Sequence, residues 1–386
     1  MNKWPFFEED EIQAVTKTLQ SGKVNYWTGT ECQLFEKEYA QFVGSTYAIS
    51  LANGTVALEA ALYALGIGKG DEVITTCRTF IATASCIIRV GAIPVLADVD
   101  LDSQNITSMA IEPLITSNTK AIIAVHLAGW PCEMDSIMEL ARKNKLYVIE
   151  DCAQAHGATY KHKQVGSWGD ISAFSFCQDK IITTGGEGGM VTMNAPLLWE
   201  KIWSFKDHGK NYHTVFNQPH LIGFKWLHDA FGTNWRMTEM QATIGRLQLK
   251  KLPHWVRLRQ RNAKILNEVF FQQPALRVTL PPPEVSHAYY KYYVFLRPER
   301  LKANWNRVAI MQALKEENIT CFVGSCSDIS GENAFKQLPY WKKSDRPNAQ
   351  ILGETSLMFL VHPTLSEADM YHTAEKVIKV MKLATQ

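Results

Sequence analysis

The sequence predicts an α/β protein: a mostly parallel central sheet flanked by helices, followed by a smaller α+β C-terminal domain. Three observations carry that expectation. Short apolar runs alternate with amphipathic stretches between residues 47 and 193, the pattern of βα repeats whose strands are covered on both faces. Two of these runs, Leu146-Tyr147-Val148-Ile149 and Ile171-Ser172-Ala173-Phe174-Ser175-Phe176, lead directly into charged groups, Glu150-Asp151 and Asp179-Lys180. Beyond residue 250 the regular alternation gives way to long helical stretches and a proline triplet.

Taken in order, residues 8–19 have helical spacing in Ile12, Val15 and Leu19 and stop at Ser21-Gly22. A polar, aromatic loop at 25–29 precedes a second amphipathic helix over 31–43. A strand at 47–51 enters the turn Ala52-Asn53-Gly54-Thr55 and a helix over 55–65. The glycines of Gly66-Ile67-Gly68-Lys69-Gly70 follow a helix and precede a strand at 72–75, which is the reverse of the dinucleotide-binding order, so they mark a turn. Strands at 93–96 and 121–125 flank a helical stretch at 109–115, and a helix over 133–143 leads into Leu146. The glycine cluster 185–189 then precedes a strand at 190–193. From 197 to 235 the periodicity weakens and large rings accumulate, a composition suited to a lid or a subunit contact. A helical region at 238–250 is expected to break at Pro253 and resume to 271. Pro281-Pro282-Pro283 opens a unit with a strand at 290–296 and helices at 307–317 and 367–381. The expected domains are an N-terminal segment 1–30 joining the small domain, a large domain 31–250 and a small domain 251–386.

Composition bounds the function. A chain of 386 residues with 46% apolar and 20% charged residues is an ordinary globular protein with ample core. Its formal charge of +2 gives no electrostatic case for nucleic acid or an anionic membrane. Eight cysteines are scattered without a C-x-x-C pair, so neither a zinc ribbon nor a disulfide framework is indicated, and no metal site is expected. No apolar run approaches the length that spans a bilayer, and Met1-Asn2-Lys3-Trp4-Pro5 lacks the core of a signal peptide; a cytoplasmic location is the expectation.

The chemistry-bearing stretch runs from Leu146 to Val191. In open α/β sheets the carboxyl ends of strands border the ligand crevice, and here two strand ends deliver Asp151, Ser175 and Lys180. A lysine amine can form a Schiff base with an aldehyde, and a carboxylate can keep a pyridine nitrogen protonated so that the ring draws electrons. Those are the two groups that pyridoxal phosphate requires. Taken singly, Lys180 would be a solvated surface lysine and Asp151 a helix cap; their company makes the difference. Gly54-Thr55-Val56 at a helix start forms either a phosphate site or a plain capped helix. Phe80 offers a flat apolar face or is a core residue, and His126, at a strand end, contacts a ligand or bonds a loop.

Glu150-Asp151-Cys152-Ala153-Gln154, Ser172-Ala173-Phe174-Ser175-Phe176 with Lys180, and Gly186-Glu187-Gly188-Gly189 resemble the signature of the DegT/DnrJ/StrS sugar-nucleotide aminotransferases. The resemblance covers residues 20–250 and, more weakly, the remainder. It implies the PLP-dependent transferase fold type I, with Lys180 and Asp151 catalytic. It also implies that Gly54, Thr55, Val56 and Ser175 hold the cofactor phosphate, that Phe80 stacks on the pyridine ring and that Gln154 bonds the ring hydroxyl. Asn234, with Arg236 as the alternative, would reach the phosphate of a neighbouring subunit in a homodimer with shared active sites. L-glutamate, returned as 2-oxoglutarate, is the implied donor, and a nucleotide-linked keto sugar the acceptor. The bacillosamine type is the expected branch, a UDP-2-acetamido-4-keto-2,6-dideoxy hexose aminated at C4, with a GDP- or dTDP-linked 4-keto-6-deoxy sugar of the perosamine type, or a 3-keto sugar, as the alternative. Members of the dehydratase branch replace the lysine by histidine, whereas position 180 is Lys. A non-catalytic protein that kept the fold is the reading from a different class. Gly324-Ser325-Cys326-Ser327-Asp328 stands where many members carry a histidine-containing segment, a departure on the substrate side.

Overall fold

The structure is a computed structural model and describes residues 3–219, 223–339, 341 and 345–385. The central sheet uses β1 (Tyr47–Leu51), β2 (Glu72–Thr76), β3 (Ile93–Ala97), β4 (Thr119–Val125) and β5 (Tyr147–Asp151). A two-residue hairpin, β6 (Thr159–Tyr160) and β7 (Lys163–Gln164), is followed by β8 (Ile171–Ser175) and β9 (Gly189–Met193). The seven long strands lie in the order β1-β9-β8-β5-β4-β2-β3. All pairings from β3 across to β8 are parallel, whereas β9 runs antiparallel to both β8 and β1. The sheet is therefore mostly parallel, as the βα pattern predicts.

Both faces are covered because successive strand residues point opposite ways. Val73, Ile123 and Ile149 pack with Ala57, Ala60, Ala61 and Ala64 of the helix Gly54–Ala64, whose small side chains let it lie close to the sheet. Their neighbours Ile74, Ile122 and Val148 face Ile137, Leu140 and Ala141 of the helix Met134–Asn144 on the other side. A third core joins Phe35 and Tyr39 of the helix Glu31–Val43 to Phe174 and Phe176.

The C-terminal unit is built on β10 (Leu276–Arg277), β12 (Tyr292–Leu296) and β13 (Ser356–Phe359), an antiparallel sheet packed by the helices Arg307–Glu316 and Glu367–Ala384. Between them β11 (Val285–Ser286) pairs back onto β6.

Two elements differ from the sequence expectation. The break at Pro253 does not occur: one helix spans Glu239–Phe270, with Leu249, Leu252, Trp255 and Val256 buried in one core and Ala263, Leu266 and Phe270 in another. Burial on both sides of the proline outweighs the roughly 3 kcal/mol cost of a proline in a helix interior. Residue 250, the expected domain boundary, lies inside this helix. The aromatic stretch after Leu197 begins as a helix, Pro196–Phe205, whose Ile202 and Trp203 are buried; its ring-rich composition obscures the 3.6-residue period. Near the N-terminus, Trp4 stands edge-on to Trp255 and stacks on His362, joining the start of the chain to the long helix and the C-terminal unit.

Candidate active site

The last residues of β5 and β8 open on a cavity of 1040 Å³. Gly54, Thr55, Val56, Phe80, Asp151, Gln154, Ser175 and Lys180 all line it. Asn234 does not; it is exposed, on a segment bridged to Asp207. Its alternative, Arg236, is engaged by Asp207 at 2.8 Å.

Adjacent residues on a strand point to opposite faces, which separates the two acids at the end of β5. Asp151 faces the cavity. Its carboxylate accepts hydrogen bonds from Thr83 Oγ1 at 2.9 Å and the Ala153 N–H at 3.2 Å. Burial pushes its pKa above the ordinary carboxylate value, with those two donors and the charge of Lys180 opposing. Glu150 lies on the other face and accepts from the N–H groups of Gly166, Trp168 and Gly169 and from the Ser172 hydroxyl. Burial alone would raise it, yet hydrogen bonds from His126 and these donors hold it below its usual value. His126 belongs to this structural group and not to the cavity. Its Nδ1 accepts from the Cys132 N–H, so its Nε2 donates to Glu150 at 3.1 Å. Cys152 completes a cluster of three ligand types, but the donors and acceptors of His126 and Glu150 are already committed, so it forms no metal site.

At the start of the helix Gly54–Ala64, the Asn53 side chain accepts from the Val56 N–H at 3.0 Å and the Asn53 carbonyl takes the Ala57 N–H. The amides of Gly54 and Thr55 are then the first-turn donors left for an anion, at the positive end of the helix dipole. Gly54 is required by space: a Cβ there would lie 2.6 Å from Ser175 Cβ. Likewise a Cβ on Gly189 would lie 2.3 Å from the Asn53 carbonyl oxygen, so the glycine cluster lets β9 press against the cradle. From behind, His156 donates Nε2–H to the Ser175 carbonyl at 2.8 Å and accepts the Tyr39 hydroxyl at Nδ1, also at 2.8 Å. Phe80 is 69% exposed although it lines the cavity, which leaves its ring face free. The Gln154 carbonyl accepts from the Ala128 N–H at 2.7 Å and thereby frees its amide N–H groups as donors.

Lys180 Nζ lies 3.5 Å from the Tyr290 hydroxyl and 3.7 Å from Asp179 Oδ1. Its backbone carbonyl accepts from Trp4 Nε1 at 2.9 Å, so the N-terminal segment fixes the chain at the lysine. The Tyr290 hydroxyl in turn donates to Asp179 Oδ2 in a short contact. Burial would raise Asp179, but Lys180, Tyr290 and Lys291 hold it below its ordinary value. Tyr290, Lys291, Tyr293, Phe322, Gly324, Ser325 and Cys326 of the C-terminal unit close the cavity. Of these only the 324–326 stretch is legible as site-related in sequence; the others lie in an ordinary alternating strand and the segment after it.

These residues fit pyridoxal phosphate. A cradle with two free amides and no room for a Cβ suits a phosphate. Among the described residues the buried Asp151 has a hydroxyl and an amide as hydrogen-bond donors, so a protonated ring nitrogen would complete it.

The DegT/DnrJ/EryC1/StrS aminotransferase family matches residues 5–378. The solved aminotransferase from Psychrobacter cryohalolentis superposes with a TM-score of 0.98 at 50% identity, covering 99% of each chain. The spore coat polysaccharide biosynthesis protein SpsC of Bacillus subtilis (strain 168) is 37% identical, over 98% of this chain and 96% of its own. GDP-perosamine synthase of Escherichia coli O157:H7 is 40% identical, over 74% of this chain and 73% of its own. The match over nearly the whole chain, together with these relatives, shows that the chain belongs to the DegT/DnrJ/EryC1/StrS family and is a pyridoxal phosphate-dependent sugar-nucleotide aminotransferase.

Proposed function

We propose that the protein moves an amino group from L-glutamate to C4 of a UDP-2-acetamido-4-keto-2,6-dideoxy hexose, with Lys180 as the catalytic amine. The observation that carries the catalytic part is the convergence of Lys180, Asp151 and the Gly54–Ser175 cradle on one 1040 Å³ cavity, which leaves room beyond a cofactor for a second ligand.

When bound, pyridoxal phosphate supplies an electrophilic carbon and an electron sink. The Gly54 and Thr55 amides and the Ser175 hydroxyl would hold its phosphate, Asp151 would keep the proton at its ring nitrogen, and Gln154 would donate to its ring hydroxyl. Lys180 Nζ accepts a proton from the donor's α-carbon in one half of the cycle and returns one to the sugar carbon in the other. Asp179 and the Tyr290 hydroxyl orient that amine.

A homodimer with shared active sites is part of the proposal. An exposed Asn234 outside its own chain's cavity supports it, as do the exposed rings of Phe224, Trp226 and Phe231 on the same segment, because aromatic side chains are enriched where subunits meet. The similarity to GDP-perosamine synthase favours a second reading, a GDP-linked 4-keto-6-deoxy sugar as acceptor.

Incubating the holoenzyme with L-glutamate and a panel of UDP-, GDP- and dTDP-linked 3-keto and 4-keto sugars, with NMR of the products, tests this directly. The expected product is the UDP-linked 4-amino sugar. Faster amination of a GDP- or dTDP-linked sugar, or of C3, would replace the substrate assignment.

A further inference from the structure

Every substrate of an amino transfer between glutamate and a nucleotide sugar is an anion, yet the cavity lining carries more acids than bases. Its charged side chains are Asp151, Asp179, Lys180, Glu187, Lys291 and Glu332. Lys180 is committed to the chemistry, so Lys291 is the remaining cation among the described lining residues. It leads into β12, which places its amine on the wall that the C-terminal unit contributes, beside Tyr290.

Among the described residues Lys291 donates no hydrogen bond; its protein partners are a loose ion pair with Asp179 and the face of the Tyr290 ring. The paired acid oxygen, Asp179 Oδ2, is 3.9 Å away, beyond hydrogen-bond reach, and also accepts the Tyr290 hydroxyl. Only 17% of the side chain is exposed. A lysine held in a cavity wall without a protein hydrogen bond costs stability unless an incoming anion accepts from it.

We infer that Lys291 receives the anionic group of a substrate entering the cavity, either a carboxylate of the amino donor or the diphosphate of the sugar nucleotide. The inference rests on the amino-transfer reading and extends it to recognition. The two substrates occupy the cavity in turn, so one amine can serve either half of the cycle. Burial brings the Lys291 pKa down to about 8, with Asp179 opposing and Arg259 and Lys180 adding to the fall; Tyr290 and His362 are its other titratable neighbours. Anion binding through Lys291 therefore weakens as pH rises through that range.

The test is isothermal titration of the holoenzyme with glutarate, a dicarboxylate that carries no amino group, and separately with UDP, GDP and dTDP. Wild type, Lys291→Met and Lys291→Arg are compared. The expected result is a tenfold or greater rise in Kd for at least one probe that wild type binds in Lys291→Met, largely restored in Lys291→Arg. A rise for glutarate assigns the donor carboxylate, a rise for a nucleotide assigns the diphosphate, and a rise for both assigns a shared site. In wild type alone, the affinity of the responding probe should fall between pH 7 and 9. Kd values unchanged within twofold in Lys291→Met, or no such pH dependence in wild type, overturn the inference. If wild type still aminates a keto sugar in that case, only the role of Lys291 is lost. If wild type aminates none, the parent reading fails independently.

Discussion

At the scale of single residues, the site depends on which face of β5 a carboxylate occupies. Asp151→Asn keeps one oxygen for the Ala153 N–H, turns the other into an NH2 that the Thr83 hydroxyl can accept, and loses the charge. Turnover is expected to fall by about 10² to 10³-fold, the scale of removing one charge-stabilising group, with the thermal midpoint little changed. Steady-state assay and calorimetry on the same preparation check this, and wild-type turnover would contradict the assignment. Glu150→Gln should behave oppositely: its damage falls on folding, because Glu150 anchors Gly166, Trp168, Gly169 and Ser172. The sequence shows two adjacent acids, and their division of labour follows from strand alternation once Ile149 and Val148 are known to face opposite layers. Thr83 and His156 carried no such signal. Each acts through a partner about 70 and 20 residues away, Asp151 and Ser175, and no local spacing records that contact.

At the scale of elements, the proposed phosphate cradle is a helix start pressed against a strand end. Gly54→Ala keeps a helix-compatible residue but drives a methyl into Ser175. Cofactor affinity should fall by tenfold or more, read by titrating the cofactor's absorbance into apoenzyme. An unchanged Kd would mean that the phosphate sits elsewhere. The helix start was legible, since Asn-Gly-Thr before an alanine-rich helix is a local signal, and that signal alone leaves phosphate site and plain capped helix equally open. The helix through Pro253 was not, because what keeps it continuous is long-range burial of Leu252, Trp255 and Val256, which overrides the local preference to break.

At the scale of the whole molecule, the cavity is closed by residues more than 100 positions beyond Lys180 in sequence, and periodicity cannot report such a contact. The resemblance extends there only weakly, and no local signal marks Tyr290 or Lys291, which reach the cavity wall on the segment leading into β12. Burial in the assembled fold also disfavours the charged form of His156, His287 and His362. Burial lowers His156 and His287 to about 3 and His362 to about 4. In the unfolded chain they titrate near 6.5, so below that pH the unfolded state binds more protons and stability falls with pH. Between pH 7.5 and 5.5 each histidine removes about 1.4 kcal/mol by this linkage. The thermal midpoint should therefore drop across that range, before the carboxylates titrate, and His156→Gln should shrink the drop. A flat profile would show that these rings are solvated.

The amine of Lys180 is the claim on which the rest stands. Treating the holoenzyme with borohydride and mapping the cofactor-labelled peptide by mass spectrometry tests it most directly. The account predicts a single reduced adduct at Lys180, absent from a folded Lys180→Ala variant that performs no amino transfer. An adduct at Lys291 or another lysine, with position 180 unlabelled, would contradict it.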